Sequence, residues 1–235
     1  MPAHSFRRDE EGGTYMKIEA VLFDIDGTLV DSNEQHVAAW LMAFSEEGHA
    51  QAPEAIRRQI GKGGDQLVPA LLHDVDAAIQ KRISDAQGSH FKRLYLKQVS
   101  AFPRASDLTA AVYRSGRKVV LASSAGREEV DHYSRMLGIA DLIEATTSID
   151  DVERSKPAPD IFGAALGKIG VAPEQAIVVG DTPYDVEAAL KAGVQTIGVT
   201  SGPFSAAQLM EAGAVAVYAD VADLLGKLAQ SPLAV

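Results

Sequence analysis

Short apolar runs alternate with helical patterns along most of the chain, and this alternation constrains the fold more than any other feature of the sequence. Strands separated by helices of this length are typical of βαβ units, whose strands form a parallel sheet. We therefore predict an α/β fold built on a parallel sheet. The predicted strands span residues 18–23, 118–122, 142–146, 176–179, 194–199 and 214–218. The predicted helices of the same region span residues 104–115, 127–137, 160–169, 184–192, 205–212 and 221–229.

The region between about Ser32 and Phe102 interrupts this alternation. It contains four helical patterns and no convincing strand, which predicts an all-helical domain placed over the carboxyl end of the first strand. The helical patterns span residues 34–47, 53–60, 65–72 and 76–98. The predicted division of the chain is a disordered extension at 1–16, an α/β core at 17–31 and 103–235, and a helical domain at 32–102.

The charge and composition of the chain exclude several classes of function. A formal net charge of −10 disfavours non-specific binding to nucleic acids or to anionic membranes. The chain has no cysteine, which excludes disulfides, thiolate zinc sites and thiol catalysis. Neither a run of about 18 apolar residues nor a secretory signal pattern is present, so we expect a cytoplasmic protein without a membrane partner.

The first predicted strand ends in the motif Asp24-Ile25-Asp26-Gly27-Thr28. Parallel sheets bind ligands beyond the carboxyl ends of their strands, so two carboxylates at this point predict a metal site and a covalent nucleophile. The second carboxylate has the chemistry of a general acid and base. Gly27 allows a tight turn whose main-chain N–H groups face an anion. The alternative interpretation is an Asp-Gly turn on the protein surface.

Two further segments carry groups that suit a phosphate. Ser123 and Ser124 follow a predicted strand just before a helix, where a hydroxyl group and the helix N-terminus favour an anion. Lys156 lies in the turn Lys156-Pro157-Ala158-Pro159, which would hold its ammonium group in place. An ordinary serine helix cap and a solvated lysine are the alternatives.

A fourth motif places two aspartates close together. Asp181 follows a predicted strand and Gly180, and Asp185 lies on the first turn of the next helix. Carboxylate oxygens suit Mg²⁺, which takes only one or two carboxylates from a protein and keeps several waters. The alternative is that Asp181 caps the helix and that Asp185 is favoured by the helix dipole.

Together, the four motifs resemble those of the haloacid dehalogenase-like (HAD) hydrolase superfamily, over about residues 17–230. The helical insert resembles the C1-type cap of its phosphoglycolate phosphatase and β-phosphoglucomutase-like branch. The resemblance implies a Rossmann-like doubly wound parallel sheet with an inserted cap. It also implies a Mg²⁺-dependent phosphatase that acts, through an aspartyl-phosphate, on a small phosphorylated metabolite of the sugar phosphate or phosphoglycolate type.

The resemblance implies a role for each motif residue. Asp24 would be the nucleophile, and Asp26 would protonate the leaving group and then activate water. Ser123 and Lys156 would hold the transferring phosphoryl group. The other phosphate-binding residues would be Gly27, Thr28 and Ser124. The metal ligands would be Asp24, the main-chain carbonyl of Asp26, Asp181 and, directly or through water, Asp185.

The charge of these groups adds a prediction about Asp26. The four aspartates sum to −4 when ionised, and Mg²⁺ with Lys156 adds +3. A phosphate dianion would then be repelled unless Asp26 carried a proton, which is also the state that a general acid requires. We therefore expect repulsion within the carboxylate cluster to keep Asp26 protonated.

Two residues of the predicted cap are expected to face the site. His36 lies on the first cap helix at a position that resembles the mutase-like branch, and the alternative is a partly buried helix histidine. Lys62, in Gly61-Lys62-Gly63-Gly64, resembles part of the cap loop that contacts the substrate, where it could meet a second anionic group. The alternative is an exposed lysine in a flexible turn. The spacing of this run does not match a nucleotide-binding P-loop.

Three other functions stay open. The nearest is a β-phosphoglucomutase-like sugar-phosphate mutase, although such enzymes tend to carry Glu where this chain has Gly180. A 2-haloacid dehalogenase shares the fold but does not need Asp26. A non-catalytic ligand-binding protein is expected to have lost a catalytic residue, and this chain has lost none.

Overall fold

The computed structural model describes residues 17–234, so the extension predicted at residues 1–16 lies outside the described residues. The strands are β1 (Ala20–Phe23), β2 (Val30–Asp31), β3 (Ser100–Ala101), β4 (Lys118–Ala122), β5 (Ile143–Thr147), β6 (Ala176–Gly180), β7 (Gln195–Val199) and β8 (Ala216–Tyr218). The helices are α1 (Asn33–Glu46), α2 (Pro53–Arg57), α3 (Gly64–Leu71), α4 (Ala77–His90), α5 (Ala105–Arg114), α6 (Arg127–Met136), α7 (Asp160–Ile169), α8 (Pro183–Lys191), α9 (Ala206–Ala212) and α10 (Val221–Gly226). None of these helices is long and apolar enough to cross a membrane.

Six of the strands form one parallel sheet in the order β5-β4-β1-β6-β7-β8. Strand β1 lies in the middle, paired with β4 on one side and with β6 on the other. The chain therefore builds the sheet outwards from β1 in both directions, and ligands of such doubly wound sheets bind beyond the carboxyl ends of the strands at this switch point. The predicted α/β fold with a parallel sheet is confirmed.

Strand β1 is buried on both faces, and its side chains alternate between two apolar clusters. Val21 and Phe23 contribute to a cluster with α5, α6 and α10. Ala20 and Leu22 contribute to a second cluster with α7 and α8 on the opposite face of the sheet. A strand covered on both faces is apolar at successive positions, which explains why its sequence is a continuous apolar run.

Helices α1 to α4 follow one another between β2 and β3, and we call them, with the π-helical turn Phe91–Tyr95 that continues α4, the cap. They pack around a third apolar cluster, so the cap has a core of its own. The buried members of that cluster are Val37, Trp40, Ala43, Phe44, Ile56, Ile60, Leu67, Val68 and Ile83. The domain boundaries at residues 31/32 and 102/103 stay a prediction.

The expectation of no strand between residues 32 and 102 is wrong. Strand β3 pairs antiparallel with β2, with Val30 opposite Ala101 and Asp31 opposite Ser100. Both residues of β3 are exposed, so no apolar alternation marks this strand in the sequence. The pair joins the two segments by which the chain enters and leaves the cap.

Phe44 is a completely buried aromatic residue of the cap cluster. We expect Phe44→Ala to lower the free energy of unfolding by about 3–5 kcal/mol, because the substitution removes apolar contacts and leaves a cavity. Tyr113 on α5 is 50% exposed and provides an aromatic control, for which Tyr113→Ala should cost less than about 1 kcal/mol. Urea unfolding measures both values, and similar values for the two variants would contradict the packing described here.

Candidate active site

Three buried carboxylates meet at the carboxyl end of the sheet. Asp24 directly follows β1, Asp181 directly follows β6, and Asp185 lies on the first turn of α8. One carboxylate oxygen from each lies within 4.8 Å of the others. The parallel pairing of β1 with β6 is what brings residues so far apart in the sequence to one point.

Lys156 supplies a positive charge to this carboxylate cluster. Its Nζ atom donates a hydrogen bond to Asp24 and lies 2.7 Å from Oδ1 of Asp185. Burial lowers the pKa of Lys156, but the attraction of Asp185 and Asp24 outweighs it and holds the pKa above its usual value. The side chain is therefore charged, and it neutralises one of the three carboxylates.

The remaining negative charge changes the protonation of the aspartates. Burial raises the pKa of Asp24 to about 7, with a further increase from Asp185 that the nearby Lys156 opposes. Burial and the charges of Asp24 and Asp185 hold the pKa of Asp181 well above its usual value. Carboxylates this close and this buried cannot all ionise unless another cation compensates them.

Two glycines leave space beside Asp181. A Cβ atom on Gly27 would come within 2.1 Å of Oδ2 of Asp181, and a Cβ atom on Gly202 would come within 1.8 Å of the same oxygen. Gly27 also has a φ of +79°, a conformation that other residues rarely adopt. The three oxygen donors, their excess negative charge and this small cradle fit a divalent cation with hard-ligand preference, such as Mg²⁺.

Hydrogen bonds hold the cluster in its arrangement. The hydroxyl group of Thr28 donates towards Asp181 Oδ1 at 3.2 Å and Asp24 Oδ2 at 3.3 Å, and Asn33 Nδ2 donates to Asp181 Oδ2 at 3.3 Å. Asp185 Oδ2 accepts hydrogen bonds from the main-chain nitrogen and the hydroxyl group of Thr182, at 3.0 and 2.7 Å. The N-cap residue of helix α8 is therefore Thr182. The alternative interpretation of the sequence, in which Asp181 caps this helix, is wrong.

Asp26 lies apart from the carboxylate cluster and faces the cap. Its Oδ1 accepts hydrogen bonds from Ser32 Oγ at 2.5 Å and from His36 Nε2 at 3.1 Å. The His36 ring stacks on Phe91, and its Nδ1 lies 3.2 Å from the side-chain nitrogen of Gln87. His36 thus faces the site, as its position in the sequence predicts.

The prediction that carboxylate repulsion keeps Asp26 protonated is wrong for this structure. Burial raises the pKa of Asp26, but the charge of His36 and hydrogen bonds from His36 and Ser32 outweigh it and leave the pKa below its usual value. Burial lowers the pKa of His36, and the attraction of Asp26 more than reverses this. The proton of this pair therefore resides on His36, because the Asp26 side chain pairs with the cap instead of joining the other aspartates.

A cleft of about 620 Å³ opens between the cap and the core above these groups. Asp24 and Asp26 line it, together with Ser123 and Ser124. Ser123 is buried, and its hydroxyl oxygen accepts a hydrogen bond from the main-chain nitrogen of Ala125 at 3.0 Å. The two predicted phosphate-binding serines and the two aspartates of the first motif therefore line the same cleft.

The cap loop Gly61–Asp65 closes one side of the cleft by direct contact with the core. The main-chain nitrogen of Gly63 donates to Ser155 Oγ at 2.9 Å, and Asp65 accepts a hydrogen bond from the nitrogen of Ser155 at 3.0 Å. Ser155 precedes Lys156, so the loop contacts the segment that carries the buried ammonium group. A Cβ atom on Gly61 would lie 2.6 Å from Thr182, which shows how closely the loop approaches the core.

Lys62 lies in the wall of the cleft. Its Nζ atom donates to Gln59 Oε1 at 2.6 Å and lies 4.4 Å from the centre of the Tyr184 ring. Tyr184 belongs to the core and donates from its hydroxyl group to the main-chain oxygen of Arg58. Lys62 therefore joins the cap to the core, and its predicted contact with a second anionic group stays a prediction.

Several residues at this site are absent from the sequence prediction. Ser155 directly precedes Lys156, and Ser32 and Asn33 lie between Thr28 and His36, but their contacts depend on how the cap packs on the core. Glu129 lies in the cleft wall and belongs to none of the four motifs. The only sequence signal for these residues is a polar side chain near a motif, which is common on any surface.

The comparisons with known proteins agree with this geometry. A sequence model described as "Haloacid dehalogenase-like hydrolase" matches residues 21–199. The phosphoglycolate phosphatase of Yersinia pseudotuberculosis is 32% identical over 216 residues, which cover 90% of this chain and 93% of that protein. A hydrolase from Pseudomonas syringae is 33% identical, with a TM-score of 0.84 and coverage of 90% of this chain and 98% of that one. CbbY from Rhodobacter sphaeroides, solved in complex with phosphate, is 26% identical, with a TM-score of 0.72 and coverage of 88% and 96%.

The raised pKa of Asp24 predicts how stability depends on pH in the presence of EDTA. Folded protein keeps a proton on Asp24 up to about pH 7, whereas the unfolded chain releases it near pH 4. The free energy of unfolding of the wild type should therefore fall as the pH rises from about 4 to about 7, and Asp24→Asn should show a smaller fall. Urea titrations at pH 5 and pH 8 measure this difference, and parallel pH profiles for the two proteins would contradict the assignment.

Proposed function

Because the chain belongs to the haloacid dehalogenase-like hydrolase family, as its four motifs predicted, we propose that it is a Mg²⁺-dependent phosphatase that hydrolyses a small phosphorylated metabolite. The observation that carries this proposal is the position of Asp24, which lies at the floor of the cleft beside a buried ammonium group and two further carboxylates. The relative named phosphoglycolate phosphatase supports the same reaction class. A cytoplasmic location stays a prediction from the sequence.

In the first step, a carboxylate oxygen of Asp24 attacks the phosphorus atom of the substrate, and the bond to the leaving-group oxygen breaks. Asp26 gives that oxygen a proton as it leaves. In the second step, Asp26 takes a proton from a water molecule, whose oxygen attacks the phosphorus atom and releases Asp24 and inorganic phosphate. Asp26 therefore acts as a general acid in the first step and as a general base in the second.

The hydrogen bond between Asp26 and His36 accounts for the proton that the first step needs. In the free site the proton resides on His36, at 3.1 Å from Asp26. A phosphate dianion bound near Asp26 raises the pKa of that carboxylate by repulsion and favours transfer of the proton from His36. His36 is thus the proposed proton store, and Asp26 is the group that delivers the proton.

Lys156 and the two serines are the proposed ligands of the phosphoryl oxygens. Lys156 contacts Asp24 directly, so its charge lies next to the atom that receives the phosphoryl group. Ser123 and Ser124 line the same cleft and offer hydroxyl groups. The structure does not support the predicted role of Gly27 and Thr28, because their main-chain N–H groups donate within the turn, to Val30 O at 2.8 Å and to Ile25 O at 3.2 Å. Fixed positive charge and aligned donors are the main requirement of phosphoryl transfer.

Asp24, Asp181 and the main-chain carbonyl of Asp26 are the proposed ligands of Mg²⁺, with Asp185 acting directly or through water. When bound, the ion supplies positive charge that offsets the carboxylates and the phosphoryl oxygens. The contacts of Thr28 and Asn33 with these carboxylates would keep them oriented towards the ion.

A mutase is less well supported, because of the surroundings of Gly180. A Cβ atom at this position would lie 2.6 Å from the carboxyl carbon of Asp185, so a glutamate there would displace Asp185. Glucose 1-phosphate should therefore lose its phosphate faster than it is converted to glucose 6-phosphate in a coupled assay. Faster conversion than release would favour the mutase.

Asp24→Asn should lower kcat for p-nitrophenyl phosphate by about 10³-fold or more, because an amide is a far poorer nucleophile than a carboxylate. Asp141→Asn makes the same change of charge at an exposed position and should keep the wild-type rate. Spectrophotometric assays with and without Mg²⁺ measure both variants. Near wild-type turnover by Asp24→Asn would refute the proposed nucleophile, and no turnover by the wild type would refute the phosphatase function.

Mg²⁺ should raise the melting temperature of the wild type, because a ligand that binds only the folded state stabilises it. At a Mg²⁺ concentration 100 times the dissociation constant the gain is about 2.7 kcal/mol. Asp181→Asn should lose most of this increase, while Asp141→Asn should keep it. Differential scanning fluorimetry in EDTA and in Mg²⁺ makes the comparison, and an undiminished increase in Asp181→Asn would exclude Asp181 as a ligand.

A further inference from the structure

Glu129 lines the cleft but belongs to none of the four motifs. It lies on the first turn of α6, six residues after Ser123, and is only 6% exposed. The opposite wall is formed by the cap, from which His36, Gln87 and Lys92 also face the cleft. A buried glutamate therefore lies between the proposed phosphate-binding strand end and the cap.

The carboxylate of Glu129 accepts no hydrogen bond from any group within residues 17–234. Two cationic side chains of the same cleft are engaged elsewhere, since Lys92 donates to Glu128 at 2.9 Å and His36 pairs with Asp26. Fully enclosed carboxylates in folded proteins are normally paired or hydrogen-bonded, whereas the oxygens of Glu129 keep some exposure at the cleft. Consistent with the missing partner, burial raises the pKa of Glu129 to about 7.

The start of helix α6 does not explain why Glu129 is buried. Negative charge is favoured on the first turn of a helix, and Glu128 already provides it there from an exposed position. The helix dipole would stabilise Glu129 equally well if its side chain pointed to solvent. Its placement in the cleft wall, without a hydrogen-bond partner among residues 17–234, instead suits an acceptor for a bound molecule.

The position of Glu129 relative to the reaction indicates which part of a substrate it meets. Glu129 lines the same cleft as His36 and Asp26, the pair proposed to give the leaving group its proton. The phosphoryl group itself would lie at Asp24 and Lys156, on the floor of the cleft. Glu129 therefore faces the part of the substrate that leaves.

We infer that Glu129 is a specificity-determining residue, which accepts a hydrogen bond from a hydroxyl group of the leaving group and repels leaving groups that carry a carboxylate at that position. This inference rests on the proposed phosphatase function. Asp65 and Asp85 also line this cleft, but Asp65 accepts a hydrogen bond from Ser155 and Asp85 pairs with Lys81, so the repulsion is assigned to Glu129 alone. The substrate class is then a phosphate monoester of a polyhydroxylated molecule, unlike the acid in the name of the Yersinia relative.

Pairs of substrates that differ only in carrying a hydroxyl group or a carboxylate on the leaving group test this inference. 2-Hydroxyethyl phosphate and 2-phosphoglycolate share a two-carbon skeleton, with a hydroxymethyl group in one and a carboxylate in the other. Glycerol 3-phosphate and 3-phosphoglycerate form the equivalent three-carbon pair. At pH 8.5, where Glu129 is ionised, kcat/KM of the full-length enzyme with Mg²⁺ should be at least about tenfold higher for the hydroxyl member of each pair.

Glu129→Gln removes the charge at nearly constant shape, and Asp131→Asn removes a charge from the exposed face of the same helix. In Glu129→Gln the ratio of kcat/KM between hydroxyl and carboxylate substrates should fall about tenfold, mainly because the carboxylate substrates improve. Asp131→Asn should leave the ratio unchanged. Glu129→Asp keeps the charge but shortens the side chain, so it should lose activity on the hydroxyl substrates while still rejecting the carboxylates.

The outcomes separate this inference from the proposed function. A wild type that hydrolyses p-nitrophenyl phosphate but prefers phosphoglycolate over 2-hydroxyethyl phosphate would overturn the role of Glu129 and leave the phosphatase intact. An unchanged ratio in Glu129→Gln would overturn it as well. If Glu129→Gln does not fold, as judged by its melting curve, the wild-type ratio and Glu129→Asp still decide the question. No turnover of any phosphate ester by the wild type would instead refute the phosphatase function.

Discussion

The site of this protein depends on three buried carboxylates that share one buried ammonium group. Asp24, Asp181 and Asp185 come from two neighbouring strand ends, and Lys156 neutralises only one of them. In a poorly solvated site such an excess of charge is unfavourable, which is why the pKa values of Asp24 and Asp181 are raised. The pairing of β1 with β6 and the N-cap contacts of Thr182 hold the carboxylates together against their repulsion. Gly27 and Gly202 leave the space that Asp181 needs. The same excess charge gives the site its affinity for a cation.

The two aspartates of the first motif differ because they face different parts of the molecule. Asp24 faces the other carboxylates, whereas Asp26 turns to the cap and pairs with Ser32 and His36. The cap therefore takes part in the proton balance of the site in addition to enclosing it. Glu129 lines the same cleft. The groups proposed to handle the leaving group are thus divided between core and cap, while those proposed to bind the phosphoryl group belong to the core.

The features that could be predicted from the sequence are those that depend on residues close together in the chain. Strand β4 and helix α7 have the predicted bounds, because a doubly buried strand and an amphipathic helix each leave a continuous pattern. The family follows from motifs at strand ends. The contacts of Asn33 and Ser155, and the place of Glu129 in the cleft wall, depend on residues distant in sequence, and no local pattern encodes them. The prediction that Asp26 is protonated was wrong for the same reason. It treated the four aspartates as one cluster, whereas Asp26 pairs with His36 of the cap.

The central claim is that Asp24 accepts the phosphoryl group, and trapping the covalent intermediate tests it most directly. Borohydride reduces an aspartyl phosphate to homoserine, so enzyme quenched during turnover with Mg²⁺ can be reduced, digested and sequenced by mass spectrometry. The account predicts homoserine at position 24 in the wild type and none in protein quenched without substrate. Homoserine at Asp181 or Asp185, or phosphate release without homoserine at position 24, would contradict it.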